Sequence, residues 1–166
     1  MKRHILTLIA SMALTFSAAA QELTGHTYAC TDIDAMRDFV TSAVLNDTTS
    51  TSPGKGIDKT LTGFFKLCDI TMEFRFLEDQ KVQTHVTMNI NDELAKLARL
   101  GWTKRQLVNL MLKTTVTGMN TTESYTIKDR LVTTEQGNSM LVAENGDSLE
   151  IGTFDGTKNI VFRRKE

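Results

Sequence analysis

The chain has 166 residues with 19 basic and 20 acidic side chains, a formal charge of −1. That length suits one domain with a sizeable core. The near balance of charge leaves nothing to steer the protein toward a polyanion, which argues against a nucleic-acid partner.

Lys2 and Arg3, an apolar run from Ile5 to Phe16 and the small residues Ser17-Ala18-Ala19-Ala20 have the three-part layout of a secretory signal peptide. Cleavage is expected between Ala20 and Gln21. The run is too short for a hydrocarbon core that needs roughly 20 residues, and no second run follows, so no membrane span is expected. The reading is a signal peptide over 1–20 and one soluble domain over 21–166, periplasmic or secreted. Losing Lys2 and Arg3 takes the formal charge to −3.

Gln21 to Cys30 predicts a first strand opened by Gly25. Thr31 or Asp32 can cap a helix whose buried face is Ile33, Met36, Phe39, Val40, Ala43 and Val44. Asn46 to Gly56 holds the one proline and no apolar side chain, and reads as an exposed loop. Ile57, Leu61, Phe64 and Phe65 suggest a short second helix ending near Cys68. From Ile70 the period becomes two: Met72, Phe74 and Phe76 share one face of a strand. After the turn Glu78-Asp79-Gln80-Lys81, the residues Val82, Thr84, Val86, Met88 and Ile90 share a face of the next strand.

Asn91 can cap a helix with Leu94, Leu97, Ala98 and Leu100 on its face, which Gly101 breaks. Thr103-Lys104-Arg105-Gln106 reads as a capping box for a further helix with Leu107, Leu110 and Met111 on its buried side. Short strands then follow over 114–119, 122–128, 130–134, 139–143, 148–153 and 159–164. Gln136-Gly137-Asn138, Asn145-Gly146 and Asp155-Gly156 supply turns. So many antiparallel strands must close into a barrel or fold into two layers to remove their edges.

The stretch from Gly146 to Arg164 resembles the closing hairpin of small exported lipocalin-like domains of Bacteroidetes. A strand of the form Asp-x-Leu-x-Ile (Leu149, Ile151) turns through Asp155-Gly156 and returns through Ile160 and Phe162 to Arg164. Gly25-His26-Thr27-Tyr28 stands where a lipocalin carries Gly-x-Trp. The resemblance implies an all-β, antiparallel lipocalin-like barrel of 8 or 9 strands, with helices after strand 1 and in the middle of the chain.

In an exported protein Cys30 and Cys68 read first as a disulfide, the alternative being two buried free thiols. Such a bond would contribute about 4 kcal/mol by restricting the unfolded chain. His26 and His85 show neither metal-ligand spacing nor the neighbours of a catalytic triad, so no metal, cofactor or catalytic residue is expected. Leu97 to Leu107 looks like a helix-turn-helix, but an exported acidic protein has no DNA to read. A helical hairpin packed over the barrel, with Lys104 and Arg105 solvated, is the better account. Met72, Phe74, Phe76, Met88 and Tyr125 face one side of the sheet. They line a cavity for an apolar ligand if the barrel is hollow, and are plain core if it is filled. The functional expectation is non-catalytic binding of a small apolar ligand; the alternative is a protein-interaction or inhibitor module, and a hydrolytic enzyme comes third.

Overall fold

The computed structural model describes residues 23–46, 63–152 and 159–166. The expected signal peptide, the loop after Asn46, the start of the second helix and the Asp155-Gly156 turn lie outside them.

Eight antiparallel strands form a closed barrel in sequence order: β1 (Thr27–Ala29), β2 (Cys68–Leu77), β3 (Lys81–Ile90), β4 (Thr121–Lys128), β5 (Leu131–Thr134), β6 (Ser139–Val142), β7 (Ser148–Gly152) and β8 (Asn159–Arg164). Helix α1 (Ile33–Asn46) follows β1, and α2 (Asp92–Leu97) and α3 (Trp102–Met119) lie between β3 and β4. The expected lipocalin-like barrel is therefore the fold. Alternation decides which side chains enter it: Phe74 and Phe76 of β2, Val82 and Val86 of β3, Tyr125 and Ile127 of β4, and Leu149 and Phe162 of β7 and β8 are all buried. Burying each large side chain contributes roughly 1.5–3 kcal/mol.

The hairpin of β2 and β3 is longer than its neighbours. Pairing of β3 with β4 stops at Thr84↔Thr121, and β1 meets β2 only from Glu73 to Arg75. The overhanging ends are covered by helices, α1 on β2 and α3 on β3. Two polar side chains finish the uncovered edges. Asn120 Oδ1 accepts from Val86 N at 2.6 Å, and Arg37 Nε donates to the Cys68 carbonyl at 3.0 Å. Asp32 caps α1 by accepting from Ala35 N, and Met36 and Val40 form its buried face with Phe39 beside them. Ile33 is exposed, and the side chains of Ala43 and Val44 lie outside the described residues.

Several expectations are corrected. No strand spans 114–119, because α3 continues to Met119. The β-branched run misleads: the Thr114 and Thr117 hydroxyls bond the carbonyls of Leu110 and Lys113, four residues back, and so stay within the helix. The buried face of α3 is Val108 and Leu112, whereas Leu107 (58%) and Leu110 (64%) are exposed, as is Met111. Leu97 is exposed as well, and Ala95 takes the inner position on α2. The break between these helices is Arg99 at φ 51, not Gly101: Leu100 N bonds Ala95 O and Arg99 N bonds Lys96 O. That pattern is a Schellman cap. No capping box opens α3, since Gly101 is its N-cap without a side-chain bond. Arg105 is not simply solvated; it donates to Leu100 O at 3.0 Å and pairs with Asp92 at 3.2 Å.

Candidate functional site

The barrel interior has two halves. Near the β2–β3 turn aromatic rings interlock, with Tyr28 and Tyr125 both set edge-on to Phe76, at 5.8 and 5.1 Å between ring centroids. Leu23 is fully buried, and the backbone beside it is pinned by the bond from Gly25 N to Phe76 O. Phe74 meets Phe162 at 4.9 Å in a further edge contact. Such geometry aligns positive ring edges with negative faces and makes a stiff floor.

Toward the helices the barrel is hollow. A cavity of about 580 Å³ lies there, with Met72 and Phe74 from β2, Val86 from β3 and Met140 from β6 as apolar wall. Phe39 and Val40 of α1 and Met119 of α3 also line it, as does the β5–β6 turn around Gly137. Gly137 has φ +85, a conformation open to glycine at little cost, and this shapes the turn beside the cavity.

Among the described residues, the buried polar side chains of the barrel are Thr84, Glu123 and Thr134, and all three line this space. Glu123 is 7% exposed and alternates in phase with Tyr125 and Ile127, so its carboxylate points inward opposite Val82. Its Oε2 accepts from Gln136 N at 3.1 Å. Thr134 Oγ1 accepts from Asn138 N at 3.3 Å. Among the described residues lining the cavity, Glu123 bears the one formal charge.

No protein-family model, curated protein or solved structure matches the chain. The functional reading therefore rests on the cavity and its side chains.

The five expected lining residues divide. Met72 and Phe74 line the cavity. Phe76 and Tyr125 belong to the packed floor, and Met88 is buried opposite Ile70 on the overhanging hairpin. Thr84 lies on the inward strand face that alternation gives it, with Val82 and Val86; Glu123 was not anticipated, although it occupies an inward position of a strand whose other inward residues, Tyr125 and Ile127, are apolar.

The expected disulfide is absent: Cys30 and Cys68 are free, buried thiols. Cys30 N bonds Met72 O, which sets Cys30 opposite a residue four positions along β2 from Cys68. Four residues of strand span roughly 13 Å, far beyond the reach of an S–S bond. Instead, Cys68 Sγ donates to Phe64 O at 3.1 Å and Cys30 Sγ to Asp32 O at 3.7 Å. Burial raises both thiol pKa values, that of Cys68 to about 11, partly opposed by Arg37. Neither has the thiolate character of a reactive cysteine. His85 is exposed on the outer face opposite Glu73, and His26 is half-buried beside β2. Among the described residues no group of three or more His, Cys, Asp or Glu could hold a metal, and no helix is long and apolar enough to cross a membrane.

Proposed function

We propose that this protein is an exported, non-catalytic binding protein of lipocalin-like kind that takes a small apolar ligand into the helix-covered end of its barrel. The observation that carries the proposal is the cavity of about 580 Å³, within the size range of small-molecule sites. Its walls are chiefly apolar. Met72, Met119 and Met140 give them unbranched side chains that adapt to ligand shape, above a floor of interlocked rings that does not. The test is fluorescence titration with the neutral apolar probe N-phenyl-1-naphthylamine. Saturable uptake is expected, and Ile151→Trp, which fills the lining with an indole, should abolish it. A wild-type protein that takes up no probe would overturn this reading.

A second reading, a protein-interaction module, has its own support. Leu97 is 80% exposed and Trp102 75%, and with Leu107 and Leu110 they give the α2–α3 hairpin several outward apolar side chains. Loss of a native partner on Trp102→Ser and Leu110→Ser, with probe uptake unchanged, would favour it.

A further inference from the structure

We infer that the ligand is an apolar amine, its cationic head held by Glu123 and its hydrocarbon body by the methionine and aromatic wall; this rests on the binding role proposed above. Glu123 is nine-tenths buried, lines the cavity, and enters no ion pair among the described residues. A buried carboxylate is costly unless hydrogen-bonded and paired. Its hydrogen bonding is half complete. Oε2 receives the Gln136 N–H, while Oε1 takes part in no hydrogen bond among the described residues and, unlike the Tyr125 hydroxyl, is not sealed off but open to the cavity.

A purely structural role, fixing the β5–β6 turn, uses only Oε2 and leaves the second oxygen turned to the cavity. The turn is already held by Gly137 N to Thr134 O at 2.9 Å and by Asn138 N to Thr134 Oγ1. An ammonium group supplies what the site lacks: positive charge and up to three N–H donors. Glu123 Oε1 takes one. The hydroxyl of Thr84, diagonal to Glu123 across the β3–β4 ladder, is a further acceptor on the same wall. Electrostatics argues equally against the opposite charge. No Lys, Arg or His is among the described lining residues, so a fatty-acid carboxylate would meet Glu123 with nothing to neutralise either.

The test compares three ligands of one chain length, dodecylammonium, dodecanol and dodecanoate. Each is titrated below its micelle concentration at neutral pH by displacement of the neutral probe. Wild type is expected to bind the amine about tenfold or more tightly than the alcohol, the size of a charge-assisted hydrogen bond, with dodecanoate weakest. In Glu123→Gln, which keeps shape and an acceptor for the Gln136 N–H, the amine should fall to the level of the alcohol, each ligand being read against the variant's own probe affinity. Wild type alone can overturn the inference, by binding dodecanoate as well as the amine. So can the variant, by keeping the amine preference. If the probe enters and the three ligands show no ranking, the amine fails and the binding role stands. If neither probe nor ligand enters, both fail.

Discussion

Asn120→Ala tests how the overhanging β-hairpin is finished. The Val86 N–H lies beyond the last β3–β4 pair, Val86 is 1% exposed, and Asn120 Oδ1 is 2.6 Å from its nitrogen. Removing that acceptor strands a buried donor, a loss of about 1–3 kcal/mol. Little else changes. Asn120 is itself exposed, so almost no apolar burial is lost, and its backbone N–H still bonds Val116 O to end α3. With a urea dependence of roughly 1–3 kcal/mol/M, the unfolding midpoint should drop by about 1 M at unchanged slope. Circular dichroism is the suitable signal, because Trp102 is largely exposed and reports weakly on burial. Hydrogen exchange should show the Val86 amide losing protection in Asn120→Ala and keeping it in Asn120→Asp, which retains the oxygen. Alanine within 0.5 kcal/mol of wild type with Val86 still protected, or aspartate as damaging as alanine, would refute the assignment.

The Tyr125 hydroxyl is enclosed without a hydrogen bond of good geometry, although Thr24 is near enough to oppose the rise in pKa that burial causes. Tyr125→Phe is therefore expected to raise stability by about 1 kcal/mol; a loss of that size by thermal melting would mean the hydroxyl is well bonded. Cys68 holds its proton to about pH 11 when folded, against an ordinary 9.0, so the unfolded thiol ionises first. Its contribution is complete below pH 9 and lost as the pH rises to 11, about 2–3 kcal/mol at most, and the pH slope of ΔG should flatten in Cys68→Ala. An equal slope in both proteins would contradict this. Asp129 and Arg130 turn β4 into β5 with φ of 50 and 68, a two-residue turn built without glycine. Arg130→Gly should raise the melting free energy by up to about 1 kcal/mol, since the exposed Arg130–Glu144 contact is worth little; a clear loss would place the strain elsewhere.

The barrel was legible because alternation is a local signal. Phe74 to Phe76, Val82 to Met88 and Leu149 to Ile151 mark inward faces without reference to anything distant. The helices were legible in place but not in rotation. On α3 two apolar stripes compete, Leu107-Leu110-Met111 against Val108-Leu112, and only docking on β3 decides between them. The disulfide reading failed on register, which no spacing in sequence encodes. Met72 and Phe74 of the cavity wall were found because apolar inward residues announce themselves. Glu123 was passed over because a carboxylate in a strand ordinarily faces water, and its inward phase shows only when it is counted with Tyr125 and Ile127.

The barrel seam has a consequence for how the chain folds. Every strand pairs with its neighbours in sequence, and the seam between the first and last strands joins Tyr28 to Arg164 and Ala29 to Arg163. Local hairpins can zip early, and the seam must wait for the longest loop to close. Until then the sheet has two free edges, the form most prone to pair with another molecule. The last strand and the residue after it put Arg163, Arg164 and Lys165 along one of those edges, all solvent-facing once the barrel is shut. Like charge there repels a second open sheet while leaving β1, whose Thr27 carbonyl receives the Lys165 N–H, as the edge it can accept.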